Sequence, residues 1–343
     1  MNNKNILLGL LERDAKSVNN DISLSIFEGS TLTVTGATGL VGFNIICALT
    51  YYNQNYAKNP ILINALSHKK PNGIMHDIFQ DNGVVSFFGD LGESSFIQSI
   101  PKSDCIIHSA GYGQPGKFLD DKIKTISINT SATIGLSKRL KQNGRFLFLS
   151  SSEVYSGSPN SKNNESHIGN TDPSHPRSCY IEGKRTGEAI VNALREKGMN
   201  AASARLALAY GPGVKSGDKR ALYQFIEQGL NGEIKLLDGG DALRTYAYIS
   251  DVITMLLSIL IKSDKAVYNV GGVSETSIRD LANKIGMILN VSVDIPRSEQ
   301  YLSDAPSRVS LDLSRIKKEF NIPNHVCLDE GLKNTIQWVR YFE

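Results

Sequence analysis

The sequence predicts an α/β protein: a doubly wound parallel sheet with a smaller C-terminal α/β lobe for substrate. Three observations predict it. Short apolar and β-branched runs alternate with helical stretches throughout 30–205, the pattern of parallel strands joined by crossover helices. A glycine-rich turn, Gly36-Ala37-Thr38-Gly39-Leu40-Val41-Gly42, separates the first strand from its helix. Tyr180 and Lys184 stand four apart on a later helical run, so one helix face carries both side chains. At 343 residues the chain exceeds the usual domain of ~100–150, so two lobes are expected. Residues 28–208 with 245–272 form the sheet lobe, 209–244 with 273–343 the second, and 1–27 an N-terminal extension.

Composition narrows the class. A hydrophobic share of 41% and a charged share of 21% are those of a globular chain. A net charge of +3 is too small to argue for nucleic acid or an anionic membrane. No apolar run approaches ~18 residues, so no membrane span is expected. The N-terminus turns charged at Glu12, Arg13 and Asp14, too early for a secretory signal. Cys47, Cys105, Cys179 and Cys327 lie far apart, which supports neither a metal site nor a disulfide framework and suits a reducing cytoplasm. Cys179 adjoins Tyr180 but has no base of its own and reads as packing.

Residues 5–27 read as a short amphipathic helix and a turn leading into the fold, with no chemistry. Residues 30–35 form the first strand, and a helix runs over 43–52. In the turn between them Gly36 and Gly39 let the backbone approach a pyrophosphate, Gly42 allows close packing of helix on strand, and the helix N-terminus faces the phosphates. The second strand, 60–66, ends in Ser67-His68-Lys69-Lys70 without the acidic residue that often holds the ribose hydroxyls. That tip suits a 2′-phosphate or is a solvated basic turn, which leaves both NAD and NADP open. Strand 84–88 leads to Asp90 and Leu91 beside an adenine. Strand 105–108 leads to Ser109, Ala110 and Gly111, small residues where a nicotinamide ribose must pass. A glycine-rich loop over 111–116, with Tyr112, follows at the ligand-binding edge. A single long helix is expected over 117–141. Asn129 within it either supports the active-site scaffold or merely caps or faces solvent.

Strand 145–149 is wholly apolar and ends in Ser150-Ser151-Ser152-Glu153, polar groups that a buried strand tip tolerates only when a partner satisfies them. Residues 156–177 read as an active-site loop. Beside a phenol that titrates near ~10, an ammonium favours phenolate, so Lys184 is expected to pull Tyr180 toward a base. Strand 201–208 ends at Ala209-Tyr210-Gly211-Pro212-Gly213, where the chain changes lobe. Arg220 opens helix 221–230, strand 233–237 follows, and Asp251 is expected to cap helix 252–261. Strand 266–270 returns to the sheet, and the remainder to 343 reads as helix, strand, helix and helix.

In this order, 35–42, 108–111, 150–155, Tyr180 to Lys184, Tyr210-Gly211-Pro212 and 244–251 resemble the extended short-chain dehydrogenases/reductases of the NAD-dependent epimerase/dehydratase type, which share a Rossmann sheet. The likeness covers about 28–340. Ser151-Ser152-Glu153-Val154-Tyr155 and Cys179-Tyr180-Ile181-Glu182-Gly183-Lys184-Arg185 most resemble UDP-glucuronate decarboxylases. The stretch from Arg220 through 238–240 to Arg244 also resembles the decarboxylase domain of bacterial lipid A modification. The resemblance implies a nucleotide-sugar enzyme that oxidises C4 transiently with NAD. Tyr180 would be the base, Lys184 would hold the nicotinamide ribose, and Ser151 would bond O4. Ser152 and Glu153 would act near C5 and C6. Arg220 and Arg244 would grip the diphosphate or the sugar carboxylate, with Tyr112 and Tyr210 also at the substrate. It further implies a homodimer in which helices 117–141 and 180–197 of two subunits form a four-helix bundle.

A 4-ketone turns a C6 carboxylate into a β-keto acid that loses CO₂, and it also acidifies H5, so water can leave instead. Ser152 stands where dehydratases of one type carry Asp, but another type carries Ser-Glu, so 4,6-dehydration and epimerisation stay open beside decarboxylation. Leu208 replaces the Asn of the related Arg-x-x-Asn-x-Tyr-Gly-Pro pattern that begins at Arg205, and the 111–117 loop also departs. Leu208 is the one feature that favours a non-catalytic, cofactor-binding regulatory protein.

Overall fold

In the computed structural model, which describes residues 2–296, 308–322 and 325–342, seven strands form one parallel sheet. These are β1 (Thr31–Thr35), β2 (Leu62–Ser67), β3 (Val85–Phe88), β4 (Ser103–His108), β5 (Leu140–Ser151), β6 (Asn200–Leu206) and, after the second lobe begins, β10 (Val267–Val270). Their spatial order is β10-β6-β5-β4-β1-β2-β3. The order reverses between β1 and β4, which pair directly with Thr35 opposite His108. In such sheets the crevice for ligands opens at that reversal, beyond the carboxyl ends of the strands.

Helices cover both faces. On one lie α1 (Asn3–Asp21), α2 (Leu40–Asn55) and α10 (Ile249–Ile261), sharing one large core with the β1 and β2 side chains. The same core takes Ile74, Met75 and Phe79 of α3 (Gly73–Asp81), and on the other face lie α4 (Ser94–Ser99), α5 (Pro115–Asp120), α6 (Lys122–Asn129), α7 (Ser131–Ser137) and α8 (Ser178–Glu196). Leu66, Ile97, Ile106, Leu136, Phe146, Phe148 and Val191 fill the core beneath α4, α7 and α8.

The stretch 117–141 is not one helix. Asp121 leaves helical geometry and caps α6 by accepting from the Lys124 backbone N–H. Asn129 and Thr130 bond back to the carbonyls of Thr125 and Ile126, which competes with the helical ladder and turns the chain at Thr130. Residues 138–141 then belong to the approach and start of β5.

The chain leaves the main sheet at Ala207, one residue after β6, rather than at 209–213. Strand β7 (Leu208–Tyr210) pairs with β9 (Leu243–Tyr248), which also pairs β11 (Ser274–Ser277) and β13 (Arg308–Val309). Between β7 and β9 come α9 (Ala221–Leu230) and β8 (Glu233–Lys235), the latter shorter than expected and paired with β12 (Ser292–Asp294). Helix α10 begins at Ile249, so Asp251 lies in its first turn and Tyr248 is the cap residue. Helices α11 (Ile278–Leu289), α12 (Ser314–Phe320) and α13 (Leu328–Tyr341) complete the chain, and 297–307 of the C-terminal stretch falls outside the described residues.

The N-terminal residues are part of the body. Leu7, Leu10, Leu11, Ala15 and Val18 of α1 are buried against α2, α10 and α13. The buried Asp14 accepts from the Tyr248 hydroxyl at 2.8 Å, and Arg13 donates to Asn334 of α13 at 2.8 Å. Among the described residues no helix is long and apolar enough to cross a membrane.

Candidate active site

The crevice is built at the tips of β1 and β4. Gly36 adopts φ +66°, and a Cβ there would stand 2.9 Å from the backbone N and Cα of Ala110, so only glycine lets the two tips meet. The turn closes through Gly39 N–H donating to the Gly36 carbonyl, and Ala37 N–H bonds the Leu66 carbonyl of β2. Thr38 and the α2 residues Leu40 and Val41 are half-buried beneath this turn, and a Cβ on Gly42 would collide with Gly36. Across the crevice Ser109 Oγ donates to the Thr35 carbonyl and Ala110 N–H to Thr35 Oγ1. His108, fully buried, locks the floor. Its Nε2 donates to the Ile128 carbonyl and its Nδ1 accepts from Thr35 Oγ1, and burial pulls its pKa to about 4.

On the dinucleotide side, the Ser67 hydroxyl donates to the Lys69 carbonyl, and His68, Lys69 and Lys70 are exposed. Asp90, expected at the adenine, is paired with Lys124 at 2.5 Å and accepts from Gly92 N–H; Leu91 packs on the core beneath α4 and α7. Asn129 is buried against Gly183 of α8, with Nδ2 donating to the Thr125 carbonyl and Oδ1 left without a partner among the described residues. That places it in the α6–α8 scaffold, not on the surface.

Tyr180 and Lys184 are both buried on the first turns of α8. Lys184 Nζ donates to the Leu149 carbonyl at 2.6 Å, lies 4.9 Å over the Phe148 ring, and would stand 3.5 Å from a Cβ on Gly111. Burial pulls its pKa down to about 7, against the opposing pull of Glu188. Tyr180 stacks on Phe118 of α5 with ring centroids 4.7 Å apart, in a small apolar cluster with Cys179, Leu119 and Tyr112. The expected phenolate does not form in the chain by itself. Burial pushes the Tyr180 phenol up to about 12, and the Ser151 hydroxyl, Arg177 and Arg220 draw it back only in part while Glu153 opposes them. The Lys184 ammonium lies 5.7 Å from the Tyr180 ring centroid and is tied to a carbonyl, so its charge is not delivered to the hydroxyl.

Strand β5 ends in the expected polar tip. Ser150 Oγ donates to Glu188, the Ser151 hydroxyl accepts from Glu153 N–H, and Ser152 to Tyr155 turn in a short 3₁₀ helix. Glu153 Oε1 pairs with Arg177 Nη2 at 2.5 Å, whereas Glu153 Oε2 and Arg177 Nε are buried without partners among the described residues. Arg220, expected to grip substrate, is held by Asp218 in a two-oxygen fork, Nε at 3.0 Å and Nη2 at 2.7 Å. Arg244 is half-buried and, among the described residues, donates to the Leu243 carbonyl at 2.7 Å; burial lowers its pKa, with Tyr246 and Glu153 opposing and Arg177 adding to the fall. Tyr210, also expected at substrate, instead lies in the core of the second lobe, edge-on to Tyr246 and Tyr248 and under Gly331. Half-buried Leu208, in β7, offers no polar group where the related pattern has Asn.

Sequence reasoning missed two residues that the fold brings to this site. Phe118 supports the Tyr180 ring, and Arg177 holds Glu153 from the entry to α8, three residues before Tyr180. The signal for Arg177 was its position one helical turn before the Tyr/Lys pair. Phe118 left no signal, because its α5 is not continuous with the helix expected there. Among the described residues no group of His, Cys, Asp or Glu is placed to hold a metal.

Fold and site together define an α/β dinucleotide-binding protein with a Tyr/Lys pair at the switch crevice. The chain belongs to the NAD dependent epimerase/dehydratase family, whose model matches residues 32–271. It is 30% identical over 311 residues to UDP-glucuronic acid decarboxylase 6 of Arabidopsis thaliana, covering 88% of this chain and 86% of that protein. UDP-glucuronic acid decarboxylase 1 of Xenopus tropicalis is 29% identical over 325 residues, 92% of this chain and 74% of that one. In fold the chain is similar to UDP-glucuronic acid 4-epimerase of Bacillus cereus, with a TM-score of 0.73, 21% identity and coverage of 91% and 100%. It is equally similar to UDP-glucose 4-epimerase of Thermotoga maritima, at TM-score 0.75, 20% identity and coverage of 90% and 98%.

Proposed function

We propose that this protein decarboxylates UDP-glucuronate after a transient oxidation at C4 of the sugar. One observation carries the choice of an acidic sugar. Around Tyr180, Arg177 is matched by Glu153 and Arg220 by Asp218, while Arg244 has no carboxylate partner among the described residues. A partly desolvated guanidinium without its anion is costly, and a planar two-oxygen ligand would relieve that cost. A C6 carboxylate is such a ligand. Two relatives reported above carry the same activity in their names.

The glycine turn, the β4 tip and Lys184 fit NAD, the cofactor of the family: the Gly36 cradle brings backbone to the crevice, and the Lys184 ammonium keeps two N–H donors beyond its bond to Leu149. When bound, NAD supplies a hydride acceptor for C4. Tyr180, once its own proton has been lost to solvent, would take the proton of the 4-hydroxyl, and Ser151, within reach of the phenol, would steady O4. With C4 a ketone, the C6 carboxylate leaves as CO₂ and the electron pair flows to the C4 oxygen. Ser152 and Glu153 line the C5–C6 side; C5 would be reprotonated, and the C4 ketone would then regain the hydride held by the cofactor and the proton held by Tyr180.

The test is mass spectrometry of UDP-glucuronate, UDP-glucose, GDP-mannose and TDP-glucose incubated with protein and NAD. UDP-glucuronate should lose the mass of CO₂, and Tyr180→Phe should slow this at least about a hundredfold without unfolding the chain. Loss of water from a neutral sugar, or isomerisation at constant mass, with UDP-glucuronate untouched, would sink the reading. The same reading places the protein in the reducing cytoplasm that its free cysteines suit. It also makes the protein a homodimer joined through α6 and α7 of the 117–141 stretch together with α8.

A further inference from the structure

We propose that Arg177 is a positioning residue that neutralises Glu153, so that the cleft admits a sugar carrying a carboxylate. The inference deepens the uronate reading and rests on it. Glu153 and Arg244 act on one another across the site, so a carboxylate bound by Arg244 also meets the charge of Glu153. Left alone, Glu153 would repel that ligand or take Arg244 for itself. Arg177 prevents both. It reaches Glu153 from the N-terminus of α8, with both side chains about four-fifths buried, and its guanidinium lies 5.7 Å over the Phe118 ring.

The pair is a one-point contact, not a fork. Among the described residues Glu153 Oε2 and Arg177 Nε remain buried and unpartnered, one acceptor and one donor of the same ion pair. Buried polar atoms are seldom left so unless something else satisfies them. A ligand with a hydroxyl next to a carboxylate presents the complementary set. Phe118 is also the ring that stacks on Tyr180, so the clamp and the base share one support.

The experiment measures binding of UDP-glucuronate and of neutral UDP-glucose by calorimetry to NAD-loaded protein. It compares wild type with Arg177→Gln, Arg177→Lys, Glu153→Gln and the double variant Arg177→Gln/Glu153→Gln. Arg177→Gln should weaken UDP-glucuronate at least about tenfold and UDP-glucose by less than about threefold. Removing the glutamate charge as well should restore UDP-glucuronate to within about threefold of wild type, and Arg177→Lys should fall between. Equal loss for both sugars, or no rescue in the double variant, would overturn the clamp and leave Arg177 as support for α8. Should Arg177→Gln fail to fold, Glu153→Gln decides: it must hold or gain affinity for UDP-glucuronate, and a tenfold loss would count against the clamp. Wild type that binds UDP-glucose as tightly as UDP-glucuronate would overturn the uronate reading and the clamp together.

Discussion

Lys184 is held where its ammonium is poorly served. It is buried, its one acceptor among the described residues is the Leu149 carbonyl, and its pKa falls from the usual 10.5 to about 7. Between those values the unfolded chain holds a proton that the folded chain sheds, so Lys184 costs stability, fully below pH about 7 and not at all above about 10.5. Lys184→Met, which keeps the stem, should therefore melt above wild type at pH 7, and the gap should close steadily toward pH 10. Parallel melting curves from pH 7 to 9 would show that burial does not act on this group. Tyr180 and Lys184 were legible in the sequence because one helix sets their spacing. The protonation state of Tyr180 was not, because the desolvation that raises it comes from Phe118 and other residues distant in sequence. Arg220 was legible as an arginine at the site but not as one already matched by Asp218, since an ion pair two residues long looks the same as two free charges.

Among the elements, the loop 156–177 shows how a long irregular segment is kept in place. Arg205 of β6 pairs with Glu188 of α8 at 2.7 Å, receives the support of the Tyr155 hydroxyl, and donates to the carbonyls of Glu165 and His167 within the loop. Arg185 of α8 reaches the Gly169 carbonyl from the other side. Breaking a buried pair from one side leaves the other charge stranded, so Arg205→Ala should destabilise the protein by about 3–5 kcal/mol. Limited proteolysis should then cut first within 156–177. A variant as protease-resistant as wild type would mean the loop is held by other contacts. The loop was readable from its Ser, Asn, Gly and Pro content, but its anchors were not. Arg205 stood in the sequence as part of a family pattern, and only the register of β6 against β5 turns it toward Glu188. The division of 117–141 escaped for a related reason: apolar spacing continues through Thr130, while the side-chain bonds that bend the backbone there leave no periodic mark.

At the scale of the whole molecule, the parallel sheet followed directly from the alternation of strands and helices, and β10 returned to its edge as read. The second sheet was harder, because β7 and β9 are short and find each other across a long intervening stretch. The outer face of α6 and α7 exposes Ile123, Ile126 and Ile134, with Ile123 77% accessible. Isolated apolar residues on a surface need no explanation, but on consecutive turns of neighbouring helices they suit a second copy of the chain. Light scattering should give twice the 37.5 kDa chain mass, and Ile123→Glu with Ile126→Glu should return it to the single mass. A wild-type monomer at micromolar concentration would exclude that interface.

The bond from Arg13 to Asn334 joins residues 321 apart in the chain. During synthesis α1 leaves the ribosome long before α13, the helix that closes over its outer side. Until then Arg13 has no Asn334 and the apolar stripe of α1 has only α2 and, later, α10 for shelter. Contacts of such separation form late and slowly, and exposed apolar surface meanwhile invites association with other chains or with chaperones. Ribosomes stalled before and after α13 should therefore differ: protease should strip α1 from the shorter nascent chain and spare it in the longer.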